Sequence, residues 1–268
     1  GNTWELLNEG LPEGFVNRIK VSPVNSNIVF ATIDETSVYR SDDGGQNWEL
    51  QYVSDDNAIA LAILPDQSNT DVIYLGDYKI GLRKSADSGV NWTSINDGLT
   101  LFVRTLATTP LEPDTVYAGS LSAGVFKSTD AAESWQPVGL QERNVFKILV
   151  DPANSNIVYA GTSLGVTRTN NGGANWQDLG QKLDFVFQVL VDDKDPDTIY
   201  LTSLAGQISK SKDGGQTWTL LETDIPKANI LAIAQDPVTG AIFIAPEREG
   251  IYKSSDDGLT WSPTNNSL

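Results

Sequence analysis

The sequence predicts an all-β chain, a six-bladed β-propeller of four-stranded antiparallel blades. Three observations predict it: a tryptophan at near-constant spacing, an eight-residue phrase ending on that tryptophan, and short apolar runs between phrases. The tryptophans are Trp4, Trp48, Trp92, Trp135, Trp176, Trp218 and Trp261, separated by 44, 44, 43, 41, 42 and 43 residues. Chance does not space a scarce residue that evenly.

The phrase occurs six times: SDDGGQNW (41–48), SADSGVNW (85–92), STDAAESW (128–135), TNNGGANW (169–176), SKDGGQTW (211–218) and SSDDGLTW (254–261). Its frame is Ser/Thr-x-Asp-x-Gly-x-Asn/Thr/Ser-Trp, and each member suits a tight turn. The acidic residue (Asp43, Asp87, Asp130, Asp213, Asp256) accepts bonds from following amides, and the glycine takes a positive φ. The tryptophan returns the chain to a strand with a large apolar side chain. The third copy has Ala132 for glycine and the fourth has Asn171 for aspartate, so both are expected to be weaker turns.

Between phrases the wording also repeats. A first run precedes a turn, as Ile19-Lys20-Val21 does before Pro23 and Ile148-Leu149-Val150 before Pro152. A β-branched and aromatic run follows, such as Ile28-Val29-Phe30, Val72-Ile73-Tyr74 or Ile157-Val158-Tyr159. A third run, such as Val38-Tyr39 or Ile251-Tyr252, leads into the phrase, and the strand after Trp completes four. No stretch keeps a 3.6-residue period. One blade cannot bury both of its faces, so blades must stack, with tryptophan at the seams in preference to a sugar-stacking role.

Composition narrows the functional classes. At 268 residues with 40% hydrophobic content, the chain suits one large β domain spanning 1–268. Acidic residues outnumber basic ones 35 to 18, for a net charge of −17, which repels phosphate backbones and anionic lipid. Nucleic acid is therefore not an expected partner. The longest apolar run, Ala58–Leu64, is far too short for a membrane span, so membrane insertion is not expected either. Cysteine and histidine are absent, which removes disulfides, ordinary zinc or copper sites, and Ser-His-Asp or Cys-His catalysis. No metal and no cofactor is expected. The chain opens on Gly1 without a cationic, apolar secretion signal and contains no Met, the pattern of a processed or recombinant segment of a longer parent with further domains.

The phrase resembles the Asp-box, or BNR, repeat of sialidases, sortilin-type receptors, xyloglucanases and the photosystem II assembly propeller. The wording Asp151-Pro152-Ala153-Asn154-Ser155-Asn156-Ile157-Val158-Tyr159-Ala160-Gly161-Thr162 is most similar to the xyloglucanase and sortilin-like branch. The resemblance implies that the boxes are architectural, lying on the blade periphery away from the ligand face. It also implies a ligand face made by the loops from fourth to first and from second to third strands. The residue before each box is basic (Arg40, Lys84, Lys127, Arg168, Lys210, Lys253), and a local ion pair with the box acid is expected. These six are set aside as ligand residues.

What remains on the implied face is Arg18, Arg104 and Arg143 near the starts of first strands, with Asp34, Glu35, Asp77, Tyr78, Lys79, Glu247, Arg248 and Glu249 in second-to-third loops. A mixed-charge rim of this kind suits binding of a protein or carbohydrate partner. Sialidase activity would need three converging arginines and a Tyr-Glu pair; Arg18, Arg104 and Arg143 supply candidates for the former, but Asn17-Arg18-Ile19-Lys20 departs from the family's signature. A xyloglucanase-like glycosidase would need two carboxylates, with Asp34 and either Asp77 or Glu247 as the pair, in a cleft normally built between two propellers. No catalytic residue is assigned: the expectation is a non-catalytic, extracellular or periplasmic binding and scaffolding domain, with glycoside hydrolysis as the alternative. One feature strains a six-bladed count. Thr3-Trp4-Glu5-Leu6-Leu7 reads as a seventh outer strand, which requires Pro263 to loosen the last one, a seven-bladed form, or pairing with a neighbouring molecule.

Overall fold

The computed structural model describes residues 4–54, 59–99, 102–180, 183 and 185–264. Thr3, Ala58 and Gly1, named above, lie outside them. The described residues form six four-stranded antiparallel sheets, each in chain order, and contain no helix. Blade one is β1 (Val16–Val21), β2 (Val29–Ile33), β3 (Ser37–Ser41) and β4 (Glu49–Val53). Blade two is β5 (Ala60–Pro65), β6 (Ile73–Asp77), β7 (Gly81–Ser85) and β8 (Thr93–Ser94). Blade three is β9 (Val103–Thr109), β10 (Glu112–Ser120), β11 (Gly124–Ser128) and β12 (Gln136–Pro137). Blade four is β13 (Val145–Asp151), β14 (Asn154–Thr162), β15 (Gly165–Thr169) and β16 (Gln177–Asp178). Blade five is β17 (Val186–Val191), β18 (Ile199–Ser203), β19 (Ile208–Ser211) and β20 (Thr219–Leu221). Blade six is β21 (Ile230–Gln235), β22 (Ile242–Pro246), β23 (Tyr252–Ser254) and β24 (Ser262–Pro263).

The chain divides into two compact units. One, Leu6–Val145, holds blades one to three; the other runs on from Phe146 with blades four to six and includes Trp4 and Glu5. Within the first unit, Ile28, Phe30 and Val38 of blade one pack on Ala60, Ile63, Ile73 and Leu75 of blade two. Leu64, Tyr74 and Leu82 then pack on Val103, Val116, Ala118 and Trp135 of blade three. Within the second unit, Tyr159, Val166 and Leu179 meet Val186, Val189, Ile199 and Leu201, and Ile208 meets Ile230 and Ile244. Second strands are buried on both faces, which is why they read as unbroken apolar runs rather than as alternation.

Each eight-residue phrase folds the same way. The first hydroxyl (Ser41, Ser85, Ser128, Thr169, Ser211, Ser254) donates to Oδ1 of the third residue at 2.6–2.9 Å. The same hydroxyl accepts the amide of the fifth residue at 2.8–3.0 Å. Oδ1 in turn accepts the amide of the seventh residue at 2.8–3.0 Å. Asn171 Oδ1 performs this as an aspartate oxygen does, but the five aspartates also accept the side chain of the seventh residue on Oδ2, at 2.5–2.7 Å, and the amide nitrogen of Asn171 cannot, so the fourth turn keeps its shape with one acceptor fewer. Ala131 and Ala132 hold φ of 55° and 70° where other copies place glycine, serine or aspartate followed by glycine. A left-handed alanine costs about 1 kcal/mol. Ala131→Gly is therefore expected to raise stability by about 1 kcal/mol, read as a higher midpoint in urea.

The bases before the boxes do something other than pair with the box acid. All six lie over the aromatic ring of their own second strand, at 4.9–5.6 Å from Phe30, Tyr74, Tyr117, Tyr159, Tyr200 and Phe243. Cross-strand register places them there, since Arg40 faces Phe30 and Lys84 faces Tyr74. Lys84 and Lys210 then reach the next blade's box, donating to the carbonyls of Ala131 at 2.9 Å and Asp257 at 3.1 Å. Only Arg40 keeps a local partner, Asp42 at 2.7 Å, one residue away from the box acid.

The tryptophans pack inward or lie half-buried, with Trp48 and Trp135 the most enclosed. Two indole N–H groups, those of Trp92 and Trp261, donate to the Gly89 and Gly258 carbonyls of their own turns, at 2.7 Å and 3.1 Å, while four others follow a rule. Trp135 donates to the carbonyl of Ile95 at 3.0 Å and Trp218 to that of Leu179 at 2.9 Å, each three residues past the preceding tryptophan. Trp48 bonds Leu7 in the same way at 3.1 Å, and Trp4 bonds Thr264 at 2.5 Å. Residues 4–8 are not a strand, but Glu9 forms a parallel bridge with Asn47. Pro263 does not loosen the last strand: it pairs with Tyr252, and the Thr264 amide bonds Ile251. An outer strand with a free edge tolerates proline there.

Candidate functional site

The loops from fourth to first and second to third strands lie at one end of each blade, because the start of a first strand pairs with the end of a second. Val16 faces Ile33, Ala60 faces Asp77 and Val103 faces Ser120. Most of the residues expected at a ligand face are found at these ends. Arg18, Asp34, Glu35, Asp77, Tyr78, Lys79, Arg104 and Arg143 belong to the first unit, and Glu247, Arg248 and Glu249 to the second.

In the first unit, Arg18 on β1 lies near enough to Arg104 on β9 for its charge to disfavour that of Arg104. Burial and then Arg18 bring Arg104 down to about 10, while Glu35 acts in the opposite sense. Arg18 is likewise lowered by burial and restored in part by Glu35. Both remain cationic at neutral pH. Arg18 is anchored by Nε to the Leu61 carbonyl at 3.1 Å and by a terminal nitrogen to the Asn17 carbonyl at 2.7 Å. The first bond has a counterpart in Gln188 to Leu231 at 2.9 Å, so it belongs to the stacking of first strands and also fixes the guanidinium plane. Glu35 is held by its own amide donating to Asn17 Oδ1 at 2.6 Å, and its carbonyl accepts the Ala60 amide. Asp34 and Glu35 carry φ of 50° and 60°, a tight turn that presents both carboxylates at the blade end.

The carboxylates are mostly committed to their loops. Asp34 Oδ1 accepts the Phe15 amide at 2.8 Å. Asp77 is buried, and its Oδ1 accepts the amides of Lys79 at 2.7 Å and Ile80 at 3.2 Å; burial raises its pKa against those bonds. Glu247 accepts the Asn229 side chain at 2.8 Å. Arg248 is an exposed turn residue at φ 63°, and Arg143 closes a turn onto Leu140 ahead of β13. Among the described residues no three acidic side chains gather as a metal-ligand set.

The sequence reading missed the aromatic component. Phe15, Phe102 and Phe185 occupy the same place, one residue before the first strand, and Phe102 lies 4.8 Å from Tyr78. Phe15 is 82% exposed. The recurring Phe-Val at 15–16, 102–103 and 185–186 was the available signal.

No family model matches the sequence, and no curated protein is similar to it in sequence. Solved structures are similar in fold. The GH74 xyloglucanase from Xanthomonas campestris matches with a TM-score of 0.81 at 16% identity, covering 100% of this chain and 50% of that one. YCF48 bound to D1 peptide matches at 0.73 and 14%, covering 95% and 82%. The extracellular domain of a hybrid two component system from B. thetaiotaomicron matches at 0.70 and 17%, covering 93% and 35%. The chain is a six-bladed β-propeller. This propeller spans about half the length of the GH74 enzymes it matches. At such identities the likeness carries the fold, and the site must be argued from the side chains.

Proposed function

We propose that this propeller is an Asp-box repeat domain of the sialidase, sortilin and xyloglucanase-like superfamily that binds a carboxylate-bearing peptide or sugar without catalysis, outside the cell or in the periplasm. The observation that carries the reading is the juxtaposition of Arg18 and Arg104 at the loop end of one unit, in a chain of net charge −17. Two neighbouring cations that Glu35 only partly offsets favour a further anion, and a guanidinium presents paired donors to a carboxylate. Phe15 and Phe102, which precede the strands that carry Arg18 and Arg104, and Tyr78, which packs on Phe102, offer apolar faces to a peptide side chain or a pyranose ring. The six box turns support the superfamily reading, since hydroxyl, acid and glycine act there as one recurring unit. The likeness to YCF48 bound to a peptide and to an extracellular sensor domain supports a binding role and that location.

The glycosidase alternative draws on the likeness to GH74 enzymes. Against it, Asp34, Asp77 and Glu247 each clamp a loop, and Asp77 is buried beyond ligand reach. Titration with poly-glutamate and with polygalacturonate at low salt separates the readings. Binding to one of them, weakened about tenfold or more by Arg104→Ala and suppressed by salt, is the expected result. New reducing ends from plant or bacterial polysaccharides, abolished by Asp34→Asn or Glu247→Gln, would instead establish an enzyme.

A further inference from the structure

We infer that the seam between blades five and six carries a further binding site, one for a small zwitterion: a free α-amino acid with an aliphatic side chain. A cavity of about 270 Å³ opens at this seam. Lys210, Lys212 and Leu221 of blade five line one side, and Asp257 and Leu259 of the sixth box line the other. All five belong to the unit that holds blades four to six. The volume falls just below the range of about 300–1,000 Å³ that suits drug-sized ligands, so the occupant is small. The charged pair at this seam has no counterpart in the other boxes. Lys212 fills the second place of its box, where the sister boxes have Asp42, Ala86, Thr129, Asn170 and Ser255. Asp257 fills the fourth place of its box, where the sisters have Gly44, Ser88, Ala131, Gly172 and Gly214. It holds a left-handed φ of 61°, at a cost that glycine avoids. A surface ion pair adds little stability, so the turn gains nothing that accounts for an aspartate there.

The contacts around Asp257 identify the ligand's chemistry. Lys210 is enclosed, its side chain 7% exposed, and it rests over the Tyr200 ring at 4.9 Å. It donates to the Asp257 carbonyl at 3.1 Å, which also accepts the Tyr200 hydroxyl at 3.3 Å, so the backbone of Asp257 is fixed from blade five. Both lysines converge on one carboxylate oxygen: Oδ2 lies 3.2 Å from Lys210 Nζ and 3.6 Å from Lys212 Nζ. Among the described residues nothing donates to Oδ1. Lys212 is exposed and held by that long contact, so an anion can draw it away while Lys210 stays with Asp257. The cavity thus offers a charged acceptor, Oδ1, beside a charged donor, Lys212 Nζ. An α-amino acid carries the matching ammonium and carboxylate on one carbon, and charge-assisted bonds are the stronger kind. Leu221 and Leu259 give its side chain an apolar wall. A neutral sugar would match neither charge, and the wall is aliphatic rather than a ring.

Calorimetric titration with L-leucine tests the site. Saturable binding is expected, with a dissociation constant of about 1 mM or tighter. N-acetyl-leucine, which lacks the ammonium, and leucinamide, which lacks the carboxylate, are each expected to bind about tenfold more weakly or worse. Methyl glucoside is expected not to bind. Asp257→Gly and Lys212→Ala, which introduce residues that sister boxes already hold in these places, are each expected to weaken leucine binding about tenfold or more. Asp257→Gly keeps the turn, because Lys84 makes the same carbonyl bond to the next box, at Ala131, with no carboxylate there. The absence of saturable leucine binding up to about 10 mM would overturn the inference. So would equal binding of either blocked form, or unchanged affinity in either variant. Displacement of leucine by methyl glucoside would also overturn it, since the cavity would then be a sugar site.

Discussion

Trp135→Ala is expected to lower the free energy of unfolding by about 3–5 kcal/mol, the range for emptying a buried aromatic site. Trp135 is buried at the seam between blades two and three with Leu64, Tyr74, Val116 and Ala118. Removing the indole opens a cavity there and leaves the Ile95 carbonyl without its 3.0 Å donor. The neighbours are sheet residues fixed by cross-strand bonds on both sides, so little collapse can offset the loss. Trp261 provides the internal comparison. It is half-buried and bonds the Gly258 carbonyl within its own turn at 3.1 Å, so Trp261→Ala should cost appreciably less. Urea unfolding followed by tyrosine fluorescence and circular dichroism measures both. A Trp135→Ala cost below about 1 kcal/mol would mean that the seams are not what holds the blades together.

The second large effect is acid lability. The melting temperature is expected to stay level from about pH 7 to 5 and to fall steeply between about 4 and 2. An unfolded aspartate titrates near 3.9. In the folded chain Asp43, Asp213 and Asp256 are held at about 2, chiefly by the side chains of Asn47, Thr217 and Thr260 and then by those residues' amides. Asp87 and Asp130 are also depressed, Asp130 furthest, by Ser128 and Ser134. A depressed folded value means that the folded state binds fewer protons than the unfolded one. The stabilisation is therefore complete above about 4 and is lost as pH falls through the folded values. Asp77 shifts in the opposite direction because it is buried, and it blunts the trend without reversing it. Replacing Asp43, Asp213 and Asp256 together by asparagine, which the fourth turn already uses as Asn171, should flatten the acid limb. An unchanged acid limb in that variant would place the lability elsewhere.

These two effects rest on features that differ in how far sequence revealed them. The box turns were legible because their chemistry is local: hydroxyl, acid and glycine lie within five residues and bond one another. The replacements at Asn171 and Ala132 look like weaknesses by residue type, and the backbone keeps the same turn at a cost: Asn171 Oδ1 does the work of one carboxylate oxygen but not of the second, and Ala132 holds φ of 70°. The bases before the boxes were misjudged because their partner is a cross-strand ring, and cross-strand register decides that contact rather than sequence adjacency. Of the ligand-face residues, Arg18 and Arg104 were identified singly. Their meeting, 86 positions apart in the chain, depends on how three blades stack. The same stacking shows Asp77 to be a buried clamp and Phe15 an exposed ring.

The sequence by itself determined the repeat, the all-β class and the number of complete blades, because tryptophan spacing and strand alternation are properties of short segments. It also removed histidine and cysteine chemistry outright. Only the tertiary structure decided which apolar faces find partners. Val16 and Val103 follow the same residue type in the same phrase, and one stands in water while the other is sealed. Burial is a relation between distant segments, set by the neighbour that packs against a strand and not by the strand's own residues.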